Sequence, residues 1–290
     1  MFKGVLTALI TPFKNGKVDE KRLVENVEFQ IKNGISGLVP CGTTGESPTL
    51  SYEEHKKVIE VVIKAAKKRV PVIAGTGSNS TEEAIELTEH ARKAGADAAL
   101  LVSPYYNKPT QKGLFLHFKT ITDKVDIPVV LYNIPGRCGV NMEPSTIAKL
   151  AGITNIVGVK EATGSLDQTS QILGLCGLKF DVLSGDDSLT LPIMSVGGRG
   201  VISVIANVVP KELSEMVGAF ETRDFDKALK IHYKLLPLMK NAFIETNPIP
   251  IKTAMKMMGL DTGELRLPMC EMEEANEKKL ADVLKSMGLI

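Results

Sequence analysis

The sequence predicts an α/β fold, a (β/α)8 TIM barrel followed by a helical appendage, and three features support this. Eight short apolar runs rich in β-branched residues recur along the first 205 residues. Amphipathic helical patterns separate them, as in parallel sheets whose strands are joined by helices. After Val209 the strand patterns stop and helical periodicity continues. We therefore expect a catalytic barrel domain over residues 1–223 and a helical domain over residues 224–290.

The eight predicted strands are continuous apolar runs, which suit strands buried on both faces. They cover residues 5–10, 37–41, 72–75, 98–102, 129–132, 156–160, 182–184 and 201–205. Ser51 and Ser80 each stand three residues before a Glu, the spacing of a helix capping box. Pro144 and Pro210 suit first helical positions. Because an open doubly wound sheet shows the same alternation, the count of eight strands is what favours a closed barrel.

The composition excludes several classes of protein. Of 290 residues, 43% are hydrophobic and 24% charged, as in ordinary globular chains. The 35 Lys and Arg against 34 Asp and Glu give a net charge of +1, so no basic field attracts nucleic acid or an anionic membrane. No apolar run reaches the roughly 18 residues of a membrane span. The four cysteines show no zinc or disulfide spacing, so we expect reduced thiols and a cytoplasmic location.

Lys160 is the leading candidate for a catalytic group. Active sites of (β/α)8 barrels lie at the carboxyl ends of the strands, and Lys160 ends the sixth predicted strand. Burial there disfavours the ammonium form, so the neutral amine can attack a ketone and form a Schiff base. The alternative is an ordinary lysine paired with Glu161, but strand alternation directs Glu161 to the opposite face.

Other strand ends supply groups that this chemistry needs. Tyr132 ends the strand next to that of Lys160, and its phenol can accept and donate a proton; a core aromatic is the alternative. Thr43 and Thr44, in a Gly-flanked turn, offer hydroxyl and N–H groups to a small carboxylate, although turn geometry alone would explain the glycines. Arg137 can hold a second carboxylate, or be a surface ion-pair partner.

Two further motifs are interpreted as structural. Asp186 and Asp187 follow the seventh strand and suit the N-cap of the next helix better than an acid pair. The run Gly197-Gly-Arg-Gly200 looks like a phosphate loop, but it precedes the eighth strand and so belongs to the opposite face of the barrel. We interpret it as a tight turn from helix to strand.

The motifs at the strand ends resemble the dihydrodipicolinate synthase family, also called 4-hydroxy-tetrahydrodipicolinate synthases. This family belongs to the pyruvate-dependent class I aldolases, which include N-acetylneuraminate lyase. The resemblance runs from Thr7-Ala-Leu-Ile-Thr-Pro-Phe13 to Leu267-Pro-Met-Cys270. The superfamily shares two of the motifs, Gly42-Thr-Thr-Gly-Glu46 and Val159-Lys-Glu-Ala162. Two others are more specific to the synthases, Pro104-Tyr-Tyr-Asn107 and Tyr132-Asn-Ile-Pro-Gly-Arg137.

The resemblance implies a lyase of the diaminopimelate route to lysine. Lys160 would form an imine with pyruvate, and Tyr132 would relay protons with Thr43 and with Tyr106 from a neighbouring subunit. Thr43 and Thr44 would hold the pyruvate carboxylate. Members of the family are usually homotetramers built from dimers, so the resemblance also implies that assembly.

The resemblance also implies the second substrate. The enamine would attack L-aspartate 4-semialdehyde, whose carboxylate Arg137 would bind. No metal and no organic cofactor would be needed, because the lysine itself is the electron sink. Two positions match residues that line the pyruvate pocket of the family: Gly185 and Ile202.

Many members of the family are inhibited by lysine at a dimer interface. Seven positions match that site: Ser47, Pro48, Tyr52, His55, Asn79, Glu83 and Tyr105. Tyr52 stands where sensitive relatives often carry His, which argues against feedback inhibition here.

The motifs argue against three alternative functions. Sugar-acid lyases of the same superfamily generally lack a basic residue at the position of Arg137. A pyridoxal-phosphate enzyme would need a phosphate site where Asp186 and Asp187 would repel the phosphate. A non-catalytic barrel would show damaged strand ends, whereas every residue the mechanism needs is present.

Overall fold

The computed structural model describes residues 1–177 and 179–290, and within them eight parallel strands form one sheet. The strands are β1 Gly4–Ala8, β2 Gly37–Val39, β3 Ile73–Gly75, β4 Ala98–Val102, β5 Val129–Asn133, β6 Ile156–Glu161, β7 Asp181–Ser184 and β8 Gly200–Ser203. β8 pairs in parallel with β1, where Leu6 lies opposite Ile202. A single parallel bridge between Leu38 and Val72 joins β2 to β3 and closes the ring. The predicted (β/α)8 barrel is confirmed.

Helices surround the barrel and continue beyond it. Those of the barrel are α1 Glu20–Lys32, α2 Tyr52–Ala66, α3 Thr81–Ala94, α4 Gln111–Lys124, the single turn α5 Pro135–Cys138, α6 Pro144–Ala151, α7 Leu166–Cys176, α8 Thr190–Ser195 and α9 Pro210–Glu221. The C-terminal helices are α10 Phe225–Asn241, α11 Ile249–Met257 and α12 Glu274–Ser286. In the part of the chain that the structure describes, no helix is both long and apolar enough to cross a bilayer.

The helix starts follow the predicted capping signals with one exception. Ser51 forms the full capping box with Glu54, and Pro144 and Pro210 occupy first helical positions. Ser80 accepts from the backbone N–H of Glu83, but the Glu83 carboxylate does not complete the box. It accepts instead from Ser78 Oγ at 2.6 Å. The second predicted capping box is therefore only half formed.

Apolar side chains from the strands fill the interior of the barrel. They are Leu6, Ala8, Val39, Ile73, Ala98, Leu100, Val130, Tyr132, Leu183 and Ile202, joined by Phe2. Burial of each large aliphatic side chain stabilises the fold by about 1.5–3 kcal/mol. A separate outer cluster joins the barrel to the C-terminal segment, because Leu280 and Leu284 of α12 pack with it. The proposed boundary after residue 223 falls in the turn between α9 and α10 and stays a prediction.

The eighth strand is shorter at its carboxyl end than the predicted run of residues 201–205. It ends at Ser203, and a 3-10 turn over Ile205–Asn207 follows. The reason is a buried carboxylate, Asp187, which accepts from the backbone N–H groups of Val204 and Ile205 at 3.0 and 3.2 Å. These bonds take the donors that a continued strand would need.

Candidate active site

Lys160 and Tyr132 lie side by side inside the barrel, at the carboxyl ends of β6 and β5. The strand register places them directly opposite each other. Lys160 Nζ lies 4.3 Å from the centroid of the Tyr132 ring. Both side chains are buried, with 5% and 4% of their surface exposed. A buried amine beside a phenol supplies the nucleophile and the proton carrier that imine formation requires.

Glu161 points away from Lys160, as strand alternation predicted. Its carboxylate accepts from the backbone N–H of Thr163 at 2.8 Å and from Asn133 Nδ2 at 3.3 Å. Burial raises the pKa of the Glu161 carboxyl, while these hydrogen bonds oppose the shift. Asn133 and Glu161 are themselves opposite each other in the register, so they tie β5 to β6 behind the reactive pair. The alternative of a Lys160–Glu161 ion pair is wrong.

Gly185 lies next to Lys160, and Ile202 belongs to the interior of the same barrel. A Cβ placed on Gly185 would lie 3.2 Å from Lys160 Cε and 2.6 Å from Ala162 Cβ. The glycine therefore leaves room for the lysine side chain. Ile202 is fully buried on β8 and belongs to the interior cluster that contains Tyr132. The structure thus places Gly185 next to Lys160, and the role of Ile202 in the pyruvate pocket stays a prediction.

The turn after β2 presents Thr43 and Thr44 at the same end of the barrel. Thr44 is buried and Thr43 is partly exposed. Gly45 N donates to the carbonyl of Gly42 at 3.1 Å, which closes the turn. Neither glycine has a positive φ; a Cβ on Gly45 would instead lie 3.1 Å from the backbone N of Cys41. Gly45 is thus needed because the backbone of Cys41 passes too close for a side chain, and not because its own backbone is left-handed.

Asn247, which sequence reasoning missed, connects two of the predicted binding residues. Its Nδ2 donates to Thr44 Oγ1 at 3.0 Å, and its carbonyl accepts from Arg137 Nη2 at 3.1 Å. Asn247 is buried, and its Oδ1 has no hydrogen-bond partner among residues 1–177 and 179–290. The sequence shows Asn247 only in a Pro-rich break between helices. The only feature of the sequence that could have indicated a role for Asn247 is that a polar residue begins this Pro-rich segment.

Arg137 is exposed at the mouth of the barrel, on α5. Its bond to Asn247 uses one of the five N–H donors of the guanidinium. Within the described residues no carboxylate is paired with it, so the alternative of a surface ion pair is wrong. The free donors suit a carboxylate that arrives with a substrate.

Tyr106 does not join the site within one chain. Its side chain is 92% exposed, and its backbone has a φ of 70°, in the left-handed region. The next residue, Asn107, joins this loop to the one before α3, since its Nδ2 donates to the carbonyl of Asn79 at 2.8 Å. A role for Tyr106 in catalysis requires a second subunit and stays a prediction.

Six of the seven residues matched to a lysine site line one cavity of about 150 Å³; they are Ser47, Pro48, Tyr52, His55, Glu83 and Tyr105. Asn79 does not line it. His55 Nε2 lies 2.7 Å from the carbonyl oxygen of Gly75. Burial and a hydrogen bond to the Glu83 carboxylate raise the pKa of Tyr52 to about 12. The Glu83 carboxylate is already engaged, because Ser78 Oγ donates to it at 2.6 Å.

The two motifs interpreted as structural are confirmed as such. Asp186 caps the 3-10 helix Asp187–Leu189 by accepting from the backbone N–H of Ser188. Burial raises the pKa of Asp187 to about 6. The glycine run spans the turn between the end of α8 and the start of β8.

A (β/α)8 barrel with a buried lysine beside a tyrosine on the next strand defines a class I aldolase-type lyase, which works through a Schiff base. The dihydrodipicolinate synthetase family profile matches residues 1–287. A 4-hydroxy-tetrahydrodipicolinate synthase from Thermodesulfovibrio yellowstonii is 59% identical over 290 residues, which cover 100% of both chains. The chain therefore belongs to the dihydrodipicolinate synthetase family.

Two solved structures bear on assembly and regulation. A monomeric dihydrodipicolinate synthase variant is 44% identical and superposes with a TM-score of 0.98 over 100% of this chain and 98% of its own. The enzyme of Cyanidioschyzon merolae, solved with lysine bound, is 41% identical with a TM-score of 0.97, over 100% and 99%. The barrel is thus shared by a member that is monomeric and by a member that binds lysine.

Proposed function

We propose that this chain condenses pyruvate with L-aspartate 4-semialdehyde, the 4-hydroxy-tetrahydrodipicolinate synthase reaction, through a Schiff base on Lys160. The observation that carries the proposal is the buried Lys160 amine, 4.3 Å from the centroid of the Tyr132 ring, in the interior of the barrel. An amine in this setting meets a ketone substrate away from bulk water. To form an imine, this amine needs only one further group, a nearby proton carrier.

Pyruvate enters the first half of the reaction. The Lys160 amine attacks the keto carbon, and the resulting carbinolamine loses water to give the imine. The Tyr132 phenol passes the protons that this loss requires. Thr43 and Thr44 hold the pyruvate carboxylate with hydroxyl and N–H groups. Loss of a methyl proton then converts the imine to an enamine, whose carbon is the nucleophile of the second half.

L-Aspartate 4-semialdehyde enters the second half with both a carboxylate and an ammonium group. Arg137 binds the carboxylate through its free donors. The unpartnered Oδ1 of Asn247, the residue whose backbone carbonyl accepts from Arg137, suits the ammonium group. The enamine carbon attacks the aldehyde, and the amino group of the semialdehyde then displaces Lys160 from the imine carbon. This ring closure releases the product and restores the lysine.

Replacement of Arg137 tests the choice of second substrate. In Arg137→Ala we expect kcat/KM for the semialdehyde to fall about 10- to 100-fold, the loss expected for hydrogen bonds to a charged group. Borohydride trapping of pyruvate on Lys160 should stay as in the wild type. Steady-state kinetics with varied semialdehyde and peptide mass spectrometry measure the two effects.

Arg92→Ala is the matched control, because Arg92 pairs with Glu89 on the outer helix α3. It should change neither quantity. Unaltered kinetics in Arg137→Ala would favour another pyruvate-dependent aldolase of the superfamily, with a second substrate that lacks this carboxylate.

The cavity beside Tyr52 gives a prediction on regulation. Because Tyr52 lines this cavity with Glu83 and stands where sensitive relatives often carry His, we expect saturating L-lysine to change activity less than the about 5-fold minimum typical of allosteric coupling. Tyr52→His restores the residue that sensitive relatives often carry and should make the enzyme sensitive to L-lysine but not to D-lysine. Activity titrations check both. Strong inhibition of the wild type would show that Tyr52 serves the role given to His in sensitive relatives.

We also propose that the chain works in the cytoplasm as a homotetramer built from dimers. The exposed Tyr106, in a loop that follows the carboxyl end of β4, supports a dimer in which it reaches the partner's site. The thiols of Cys41, Cys138, Cys176 and Cys270 are free, in keeping with a reducing compartment.

A further inference from the structure

The C-terminal helix α11 contacts the barrel through a buried ion pair. The Lys252 side chain is 0% exposed, and its Nζ donates to Glu46 Oε1 at 2.7 Å. The same Nζ donates to the carbonyl of Thr11 at 3.0 Å and lies 4.3 Å from the centroid of the Phe13 ring. The ammonium is thus enclosed by two loops of the barrel and by an aromatic face, with no route to solvent.

Glu46 is the last residue of the turn that carries Thr43 and Thr44. Its φ of 53° is left-handed, a conformation that is costly for a residue with a side chain. Its backbone N donates to the carbonyl of Thr43 at 3.1 Å. Its carboxylate accepts from Lys252 and, through Oε2, from the backbone N of Arg266 at 3.2 Å. The carboxylate therefore anchors the turn to the C-terminal segment.

From these contacts we infer that Lys252 and Glu46 are positioning residues, which act on pyruvate through Thr43 and Thr44. The inference rests on the proposed function. A buried ion pair often stabilises a fold no more than an apolar pair of the same size would, because the cost of desolvating two charges offsets their attraction. What the charged pair adds is a fixed direction for the Glu46 side chain and hence for the turn before it. Asn247, ahead of the same helix, holds Thr44 from the other side.

The principal test uses the double variant Glu46→Gln/Lys252→Met, which removes both charges and leaves no lone buried ion. Borohydride trapping on Lys160 is measured across pyruvate concentrations. We expect half-maximal trapping to need about 10- to 100-fold more pyruvate, the scale of loss when a binding group is misplaced by about 1 Å. Lys256→Met, at an exposed position one turn further along α11, is the matched control and should behave as the wild type.

A double-mutant cycle that combines the Glu46→Gln/Lys252→Met variant with Thr44→Val distinguishes a positioning role of the pair from a general effect on stability. If the pair acts through the turn, adding the double variant to Thr44→Val should raise the pyruvate requirement by less than about 2-fold further, because coupled residues are not additive. Circular dichroism and thermal unfolding establish which variants fold, with Glu46→Gln alone as the mildest change.

Each remaining outcome would overturn the inference. Folded double variants with wild-type pyruvate dependence, or fully additive effects with Thr44→Val, would leave the pair no positioning role. Failure of all the variants, including Glu46→Gln, to fold would assign the pair to stability alone. A wild type that is not labelled on Lys160 would instead reject the proposed function, so the two failures are distinguishable.

Discussion

Lys160→Met is expected to lose activity by at least about 10⁴-fold, because removal of the nucleophile removes the covalent step itself. Methionine keeps the length and apolar stem of the side chain, so the space beside Gly185 stays filled. In the wild type, borohydride with pyruvate should leave a stable adduct on Lys160 and inactivate the enzyme. Peptide mass spectrometry locates the adduct, and the variant should carry none.

Lys240→Met is the control for this experiment. Lys240 is exposed on α10 and its Nζ lies 3.2 Å from Ser188 Oγ, on the loop that follows β7. This variant should keep both activity and the adduct on Lys160. An adduct on any other lysine, or full activity of Lys160→Met, would exclude the proposed mechanism.

Tyr132→Phe is expected to lower kcat by about 10²- to 10⁴-fold, the range that a positioned acid–base group contributes. The ring would still lie beside Lys160, so packing in the barrel interior is kept and only the hydroxyl is lost. Trapping should still occur on Lys160, but more slowly. Rapid-mixing measurements of adduct formation, together with steady-state rates, separate the two steps.

Tyr233→Phe removes a hydroxyl from an exposed residue of α10 and should leave both rates unchanged. If Tyr132→Phe keeps the wild-type rate of trapping, the proton carrier is another group. Tyr132 would then be the core aromatic that its burial also allows.

The barrel could be predicted because its signals are local. Each strand is a short apolar run, and the order of strands in a closed parallel barrel follows the order of the chain. The errors lie at strand ends, as where Asp187 captures the N–H groups that would have extended β8. Such a contact joins residues 17 positions apart and leaves no mark on the apolar pattern.

The strand-end rule also found Lys160 and Tyr132, because neighbouring strands bring their last residues together. It could not find Asn247, which meets Thr44 across 203 positions of sequence. Nor could it find the partnership of Lys252 with Glu46, since a lysine in an amphipathic helix looks like a solvated side chain. The role of Tyr106 cannot be tested in a single chain, because the surface that it is predicted to contact belongs to another subunit.

The contacts of Asn247 and Lys252 also bear on how the enzyme is made. Translation runs from the N-terminus, so all eight barrel strands leave the ribosome before either residue exists. A nascent chain can therefore complete the strand that carries Lys160 before Asn247 and Lys252 contact the turn of Thr43 and Thr44. The proposed anchoring of the turn that carries Thr43 and Thr44 implies that a chain cut after residue 223 would bind pyruvate more weakly than the full chain.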